Sequence, residues 1–429
     1  MARRRKRADD RSPATGPHSP VGPLVAISIR LLSWTRHLTR IRDKAIMRGD
    51  IRPKKKATVI VQQLEDKVYF RKPGYAAEVP DPTGSIRYLL ELMDGSRTVA
   101  ELCELVGARH PSVTCEALTQ ALAQFDRSGF LEDGAAGPDG LLDEYELARW
   151  NRNLSYLEAF ASTQVSKYEL QHRIKTAKVA LLGLGGVGSH LLYDLAAMGV
   201  QDIRAVEFDR VELWNLNRQI LYTEGDIGRL KAEAAAERIR AFSPRLQLDV
   251  VPRRLCSTED VLDVIHDREY VLCVADQPRQ EIVHWVNEAC VRRGAALVVG
   301  GHDMERVVYY TIIPGVTGCV ECWLRQVRER DPLSAALIEE RRRALTFLDN
   351  GTFAPPISVV AGLMLCELTR LITGVEPPVA TGKLMEVRFR GSAMRAAETW
   401  DRIADCRICQ SAEPSATRAE HRSQVGEPV

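Results

Sequence analysis

The first pattern along the chain is helical. Between residues 24 and 45, apolar residues recur at intervals of three and four, which places them on one face of a helix. These residues are Leu24, Ile27, Leu31, Trp34, Leu38, Ile41 and Ala45. Residues 1–23 are rich in Arg, Pro and Ser, a composition typical of disorder. We therefore expect residues 1–50 to be a basic tail with an amphipathic helix that packs on the protein or a second subunit. Docking to a membrane surface or another partner is the alternative.

Strand and helix patterns then follow one another between residues 54 and 133. Residues 57–61 and 67–70 are short apolar stretches separated by a polar turn, which predicts two paired strands. A helix follows, for which Thr83 and Ser85 can serve as caps.

Two further helices complete this segment. Thr98 and Glu101 have the spacing of a capping box that opens the second helix. The third helix covers about residues 114–127, and residues 129–131 can return as a strand. This order predicts a small winged-helix module over residues 51–134. Its third helix is not basic, which counts against DNA binding.

The rest of the chain has a different organisation. Residues 134–140 are rich in Gly, Ala and Pro and predict a linker. Residues 141–410 are typical of one α/β domain, and we expect residues 411–429 to be a disordered tail. No apolar run reaches the roughly 20 residues of a membrane span. No signal-peptide cleavage site follows the basic N-terminus, so we expect neither a transmembrane segment nor secretion.

Charge and cysteine content narrow the class of protein. With 59 Lys and Arg against 57 Asp and Glu, the net charge of +2 gives no reason to expect a nucleic-acid partner. Four of the ten cysteines form two Cys-x-x-Cys pairs, and six are single. The single ones lie in apolar or helical runs, so we expect small buried side chains, no disulfide framework and a cytoplasmic protein. They are Cys103, Cys115, Cys256, Cys273, Cys290 and Cys366.

A glycine-rich turn follows the apolar strand that begins at Lys178. Its glycines let a phosphate approach the backbone, and the helix that follows offers free N–H groups. They are Gly183, Gly185, Gly186 and Gly188. Glu207, at the end of the next strand, can accept hydrogen bonds from ribose hydroxyls. These features alone fit a nicotinamide-dependent dehydrogenase equally well.

The residues beyond Glu207 are not those of a dehydrogenase. Four stretches resemble the ThiF, MoeB and ubiquitin-activating family over residues 149–410. They are Glu207-Phe-Asp209-Arg-Val-Glu-Leu-Trp-Asn215-Leu-Asn217-Arg218-Gln219, Asp226-Ile-Gly228-Arg-Leu-Lys231, Arg149-Trp-Asn-Arg152 and Val274-Ala-Asp276-Gln277. The resemblance implies a Rossmann-like adenylation domain that uses ATP and Mg²⁺ and forms a homodimer.

The resemblance also implies a role for each matching residue. Gly186 approaches the phosphates, Glu207 holds the ribose, and Asp276 helps to bind Mg²⁺. Arg152 reaches into the twin subunit's site as an arginine finger. The implied catalytic set is Arg152, Arg218, Lys231 and Asp276. The implied nucleotide-binding set is Gly183, Gly185, Gly186, Gly188, Glu207, Asp209, Asn215, Arg218, Gln219, Lys231, Asp276 and Gln277. An inactive relative, in which these residues serve only as salt bridges and turns, is the alternative.

The two Cys-x-x-Cys pairs predict a structural zinc site. Cys319 with Cys322 and Cys406 with Cys409 would supply four thiolates, which fill a tetrahedral shell and leave no open position. Because the pairs are far apart in sequence, the metal would clip the C-terminal end onto the domain. A redox role is the alternative. The paired arrangement is similar to that of the MoeB and ThiF relatives.

An absent cysteine bears on the chemistry. Family members that pass the activated group to sulfur use a cysteine in the crossover segment, and residues 323–358 contain none. We expect Cys366 to be buried, in an apolar helical run. MccB-like microcin-modifying enzymes resemble the arrangement of an N-terminal leader-binding module, an adenylating domain and no catalytic cysteine.

The N-terminal module resembles the PqqD-like leader-recognition module of peptide-modifying enzymes. The likeness lies in the predicted hairpin, Leu89-Leu90-Glu-Leu, Asp94-Gly95-Ser-Arg-Thr98-Val-Ala-Glu101-Leu and Gly129-Phe130-Leu131. It implies that a leader peptide adds a strand to the hairpin edge. The prediction is therefore ATP-dependent adenylation of a carboxylate on a ribosomally synthesised precursor peptide. The alternatives are a non-catalytic leader-binding scaffold for a separate modifying enzyme, and activation of a small sulfur-carrier protein.

Overall fold

The computed structural model describes residues 30–31, 47–279, 281–303, 305–343, 351–391 and 393–411. The chain divides into two compact units, Met1–Ala135 and Ala136–Val429. Most of the predicted helix at residues 24–45 and the tail at residues 412–429 lie outside the described residues.

The N-terminal unit contains a four-stranded antiparallel sheet, a two-stranded ribbon and three helices. The sheet has the order β1-β5-β4-β3, and β2 pairs with β6. The strands are β1 (Arg30–Leu31), β2 (Pro53–Lys55), β3 (Ile60–Leu64), β4 (Lys67–Lys72), β5 (Tyr75–Pro80) and β6 (Leu131–Asp133). The helices are α1 (Ser85–Leu92), α2 (Val99–Arg109) and α3 (Cys115–Arg127). Phe70 and Phe130 stack at 4.8 Å between ring centroids in the core.

Several sequence predictions hold in this unit, and others need correction. The capping box of Thr98 and the third helix are confirmed, and the returning strand is present but covers Leu131–Asp133, two residues later than predicted. The sheet is larger than the predicted hairpin, because β5 adds a third consecutive strand. Residues Arg30–Leu31, predicted to be helical, form a strand on β5.

The cap of α1 and one cysteine pair also differ from the prediction. The carboxylate of Asp81 accepts the N–H groups of Ile86 and Arg87, at 2.9 and 3.0 Å, so it caps α1 in place of Thr83 or Ser85. Cys103 and Cys115, predicted to be single buried thiols, form a disulfide between α2 and the start of α3. The fold brings them together across a turn that the sequence pattern does not position.

The larger unit is built on an eight-stranded sheet with the order β14-β13-β12-β11-β10-β7-β8-β9. The strands from β9 to β11 are parallel, and β12 to β14 continue the sheet antiparallel. They are β7 (Lys178–Leu182), β8 (Asp202–Val206), β9 (Gln247–Val251), β10 (Tyr270–Cys273), β11 (Ala296–Asp303), β12 (Arg306–Ile312), β13 (Lys383–Arg388) and β14 (Ala393–Thr399). The predicted α/β class is confirmed.

Helices precede these strands, lie between them and follow the last one. They are α4 (Glu144–Arg149), α5 (Asn151–Leu157), α6 (Lys167–Thr176), α7 (Gly186–Met198), α8 (Lys231–Phe242), α9 (Thr258–Ile265), α10 (Ile282–Arg293), α11 (Val320–Arg330), α12 (Pro332–Arg343), α13 (Ala354–Thr373) and α14 (Arg407–Gln410). Two 3₁₀ turns, Leu213–Asn215 and Glu224–Asp226, connect β8 to α8.

Both faces of the sheet carry apolar clusters. On β7, Val179 and Leu181 join one cluster, while Ala180 and Leu182 join the other. A central parallel strand covered on both sides is apolar along its buried length, as β7 is from Val179 to Leu182.

Helix α13 belongs to the first of these clusters. Among the described residues it is the helix long and apolar enough to cross a membrane, yet 61% of that apolar stretch is buried in the protein. Cys366 on α13 and Cys256 are exposed, contrary to prediction, whereas Cys273 and Cys290 are buried as predicted. Val359 and Gly362 are also exposed, so Cys366 lies on the outward face of a helix that buries only one side.

A buried carboxylate joins the antiparallel strands. Glu386 on β13 accepts hydrogen bonds from Arg306 and Arg388 at 2.8 Å and from Arg395 at 2.6 Å. Burial raises the pKa of this carboxyl, but the three guanidinium groups outweigh burial and lower the pKa to about 2. Glu386 is therefore an anion that holds β12, β13 and β14 together.

Candidate functional site

The predicted glycine turn lies where the strand order reverses. From β7 the chain runs outward through β8 and β9, and β10 then pairs on the other side of β7. In doubly wound sheets, ligands bind in the crevice at this reversal, outside the carboxyl ends of the strands. Helix α7 begins there, at Gly186, and presents its free N–H groups.

Two glycines allow this turn to close tightly. Gly183 has a φ of 98°, and a Cβ atom there would lie 3.0 Å from the backbone nitrogen of Ala275. A Cβ at Gly188 would lie 1.9 Å from the carbonyl oxygen of Gly183. The turn therefore packs against the end of β10 and against its own helix, with space only for glycine at these positions.

Glu207 fastens the turn to the end of β8. Its carboxylate is buried and accepts the N–H groups of Leu184 at 2.9 Å, Phe208 at 2.8 Å and Asp209 at 2.9 Å. The sequence placed Glu207 at this position for its reach to a ribose. The structure shows that its carboxylate organises the backbone of the turn, and ribose binding stays a prediction.

Lys231 lies at the start of α8, beside the same crevice. Its side chain is 5% exposed, and its ammonium lies 3.1 Å from the carboxylate of Asp209, whose side chain is 51% exposed. The backbone N–H of Lys231 also donates to the carbonyl oxygen of Asp209, at 2.9 Å. Asp209 thus fixes this lysine by both its backbone and its side chain.

The segment that contains Asn215, Arg218 and Gln219 is folded by its own hydrogen bonds. The Oδ1 atom of Asn215 accepts the N–H of Glu212 at 3.1 Å, so this buried side chain shapes the 3₁₀ turn. The Arg218 guanidinium donates to the Oδ1 atom of Asn217 at 2.8 Å and to the carbonyl oxygen of Trp214 at 3.1 Å.

Arg218 lies against the first turn of α7. Its Cγ would be 3.4 Å from a Cβ atom at Gly186. Burial lowers the pKa of Arg218, and the charge of Asp276 opposes this effect. Asp276 and Gln277, both exposed, follow β10. The fold therefore brings a cation and a carboxylate to the mouth of the glycine turn.

Gln219 has an unused acceptor beside the turn. Its side chain is buried near Gly185, and within the described part of the chain its Oε1 atom has no hydrogen-bond partner. Buried polar atoms are normally paired, so this atom indicates a ligand or water at this position. The Nε2 atom of His190 is similarly unpaired, and burial lowers the pKa of this imidazole.

Two further residues that support the site were not singled out from the sequence. Tyr222 donates to the carbonyl oxygen of Leu184 at 2.9 Å, and burial, with nearby carboxylates, raises the pKa of this phenol. The hydroxyl of Ser189 donates to the carbonyl oxygen of Gly186 at 2.7 Å and accepts the N–H of Ile220 at 3.2 Å. Ser189 was visible in the glycine motif, whereas no local pattern identifies Tyr222.

Arg152 is not part of this group within one chain. It lies on α5, is exposed, and makes no hydrogen bond or ion pair with any residue that the structure describes. The fold otherwise assembles the predicted glycines, Glu207, Asp209, Arg218, Gln219, Lys231 and Asp276 around the carboxyl ends of β7, β8 and β10.

The four paired cysteines come together in a second site. Their sulfur atoms all lie within 4.8 Å of one another, and all four residues are buried. The Sγ–Sγ distances are 3.9 Å for Cys319 and Cys322, 3.7 Å for Cys319 and Cys406, and 3.5 Å for Cys322 and Cys409. A tetrahedral zinc ion with Zn–S bonds of about 2.3 Å requires sulfur separations of about 3.8 Å, so this geometry fits zinc.

Side chains beside the cluster fasten the two chain segments to each other. The indoles of Trp323 and Trp400 stack at 5.2 Å, and Trp400 donates to the carbonyl oxygen of Gly318 at 3.0 Å. Arg325 forms a two-pronged ion pair with Asp405, at 2.9 and 3.1 Å. The C-terminal segment is thus held to the start of α11.

Comparison with known proteins agrees with this site. Residues 156–408 match the model of the ThiF family. A sulfur carrier protein adenylyltransferase of Thermus thermophilus is 32% identical over 250 residues, which cover 56% of this chain and 85% of the relative. An adenylyltransferase and sulfurtransferase (UBA4) of Lodderomyces elongisporus is 27% identical, but the match spans 48% of this chain and only 42% of that protein.

Solved structures extend the likeness in fold. The crystal structure of Escherichia coli MccB with AMPCPP and MccA has a TM-score of 0.64 and 20% identity, and the match covers 83% of this chain and 99% of MccB. This chain therefore has an MccB-like fold. The family match and the named relatives favour an adenylating enzyme over a dehydrogenase as the interpretation of the glycine turn. The chain belongs to the ThiF family and is an ATP-dependent adenylyltransferase of the ThiF and MoeB type.

Proposed function

We propose that this adenylyltransferase activates a carboxylate of a ribosomally synthesised precursor peptide. The observation that carries the proposal is the extent of the likeness to MccB. It covers 83% of this chain, more than the segment matched by the ThiF family. Another solved structure is that of the microcin C7 biosynthetic enzyme MccB in complex with N-formylated MccA. A peptide substrate would also give a role to the N-terminal unit, which lies outside the segment matched by the ThiF family.

The crevice around the glycine turn would hold ATP. The N-terminus of α7 and the backbone at Gly186 would receive the phosphates, with Arg218 and Lys231 as cations and Gln219 as a neutral donor. Glu207, whose carboxylate accepts the N–H of Leu184 in the turn, would bind the ribose. A carboxylate oxygen of the substrate then attacks the α-phosphorus. A phosphorus–oxygen bond forms, the bond to the bridging oxygen breaks, and pyrophosphate leaves, so that an acyl-adenylate remains.

Asp276 would hold Mg²⁺, with Gln277 beside it. Asp276 is an exposed carboxylate that acts electrostatically on Arg218, at the mouth of the crevice, and carboxylate oxygens suit Mg²⁺. The ion would supply charge neutralisation for the phosphates. In the second site, zinc bound by the four cysteines would be structural, because it would have four protein ligands.

The remaining parts of the proposal concern partners. Residues 51–134 would act as a winged-helix, PqqD-like module that binds a leader peptide, and residues 141–410 as the adenylation domain. Arg152, exposed and unpaired among the described residues, would enter the site of the twin subunit in a homodimer. The protein would work in the cytoplasm, alone or with a partner modifying enzyme.

Activation of a small sulfur-carrier protein is the second candidate, favoured by the name of the Thermus thermophilus relative. A thiol relay is hard to place in this chain. Residues 323–358 contain no cysteine. Cys366 is exposed, but it lies nine residues along α13 from Ile357, the residue next to the glycine turn. At a rise of 1.5 Å per residue that is about 14 Å.

ATP–pyrophosphate exchange tests the proposal. The purified chain is assayed alone, with a synthetic precursor peptide encoded beside its gene, and with a small carrier protein that ends in Gly-Gly. We expect exchange to require the peptide and to fall at least about a hundredfold in Asp276→Asn. Asp263→Asn, an exposed change on α9, is the matched control and should retain full exchange.

The other outcomes separate the alternatives. Exchange that depends on the carrier protein instead would establish the second candidate. Peptide binding without ATP binding or exchange would establish the leader-binding scaffold and contradict the catalytic roles given to Arg218, Lys231 and Asp276.

A further inference from the structure

One edge of the N-terminal sheet is occupied by a segment of the same chain. Strand β1 pairs antiparallel with β5, so that Arg30 lies opposite Glu78 and Leu31 opposite Ala77. In the order β1-β5-β4-β3, strand β1 covers the outer side of β5, while the outer side of β3 has no partner strand among the described residues. Strands β3, β4 and β5 thus form a three-stranded meander, and β1 pairs with its β5 edge.

The two edges of this meander differ in what they offer to an added strand. Four of the five residues of β3 are exposed, including Ile60 and Leu64. On β5, Ala77 and Val79 are fully buried and alternate with partly buried residues. A strand added to β5 thus lies beside a strand with one buried face, whereas a strand added to β3 lies beside a mostly exposed one.

The sequence of β5 also limits where a partner can pair. Pro80 ends the strand and has no N–H to donate, so an added strand can pair only with the residues before it. The observed register uses Ala77 and Glu78, within that limit.

We infer that the outer edge of β5 is a strand-accepting docking surface whose resident occupant is this chain's own N-terminal segment around Arg30–Leu31. The main-chain groups of β5 hold the segment, and an extended peptide that enters the same edge must displace it. Displacement by a precursor peptide rests on the proposed function; occupancy by the chain's own segment does not. Peptide binding by β-strand addition would then be a competition at one edge.

Tethering makes the resident segment a strong competitor. A segment that belongs to the same chain as its docking surface has a high effective concentration there, in the millimolar range. A separate peptide of the same sequence, supplied at micromolar concentration, cannot match that value. The full chain should therefore bind a free peptide of the same sequence only weakly. Binding should become tighter when the resident segment is prevented from pairing with β5.

Disulfide trapping tests the occupancy in the full chain. The double variant Arg30→Cys/Glu78→Cys places thiols on residues that face each other in the register. Gln62 lies in the same cross-strand row, two strands beyond Glu78, through Tyr69, so Arg30→Cys/Gln62→Cys is the matched control. Mild oxidation followed by peptide mass spectrometry should show the 30–78 link and not the 30–62 link. No 30–78 link, or equal yields of both links, overturns the inference.

A binding assay tests the competition. The probe is a fluorescein-labelled synthetic peptide with the sequence of residues 26–35, measured by polarisation against the full chain. Arg30→Pro/Leu31→Pro removes both N–H groups from the resident strand, and Arg30→Ala/Leu31→Ala keeps them. The proline variant should bind the probe at least about tenfold more tightly than the wild type and the alanine variant. Equal binding by all three proteins overturns the inference, whether or not pyrophosphate exchange is found.

Discussion

Replacing Gly188 by alanine should disrupt the glycine turn, because the turn has no space for a Cβ atom at this position. The added Cβ would lie 1.9 Å from the carbonyl oxygen of Gly183 and 2.8 Å from its carbonyl carbon. To restore even the closest contact that real Cβ atoms show, 3.0 Å, the start of α7 must move by about 1 Å from the end of β7. Because both sides of the clash are backbone, no change of rotamer can relieve it.

The size of the effect follows from this geometry. Overpacking a close contact costs about 1–3 kcal/mol, and a clash between backbone atoms belongs at the upper end. For a unit of this size each kcal/mol lowers the Tm by roughly 2–4 °C, so we expect the Tm to fall by about 6–12 °C. Movement of α7 would also displace its N-terminus from the proposed phosphate position, so pyrophosphate exchange should be lost.

Gly362 provides a matched control in the same unit. It is exposed within α13, and a Cβ atom there would meet nothing within 4 Å. Alanine at this position should stabilise the helix by about 0.5–1 kcal/mol and leave exchange unchanged. Both variants are measured by differential scanning calorimetry and exchange. A Gly188→Ala protein that melts within about 2 °C of the wild type and keeps its activity would refute the packing argument.

Three other changes test different parts of the structure. Cys409→Ser should remove the bound zinc measured by inductively coupled plasma mass spectrometry and lower the Tm, whereas exposed Cys256→Ser should do neither. Glu386→Gln should lower the free energy of unfolding near pH 7, as measured by urea titration. Because folding lowers the pKa of Glu386 from 4.5 to about 2, the carboxylate contributes its full stabilisation above pH 4.5. The difference in stability between wild type and variant should therefore disappear as the pH falls through about 2. Asp81→Ala removes the acceptor at the N-terminus of α1 and should cost about 1 kcal/mol in urea denaturation, whereas Thr83→Ala should change stability by less than about 0.5 kcal/mol.

The sequence predicted best where local pattern and function coincide. The turn from Gly183 to Gly188 joins a buried strand to a helix, so a short motif defines its position in the sheet. The capping box at Thr98 is equally local. The association of the four paired cysteines needs a long-range contact, but the chemistry of metal binding supplies the reason to expect it.

The failures involve residues whose state depends on tertiary contacts. Strand β5 begins with Tyr75 and two alanines, too weak an alternation to distinguish it from a loop. The partner of Cys103 is determined by the angle between α2 and α3, which the sequence pattern does not give. Cys366 differs from its prediction for another reason: an apolar run predicts burial, but a helix on a sheet buries only one face, and Cys366 lies on the other.

The structural role of Glu207 limits how it could bind the ribose that we propose for it. A carboxylate has about four acceptor positions, and three are taken by the N–H groups of Leu184, Phe208 and Asp209. One position therefore remains for a ribose hydroxyl while the turn stays closed. A second hydroxyl could bind only if one of these backbone bonds were released, and a buried N–H left without a partner costs about 1–3 kcal/mol. The turn that would receive the phosphates and the carboxylate that would hold the ribose are thus coupled, so ribose binding at Glu207 would depend on the position of Leu184 as well as on the acid itself.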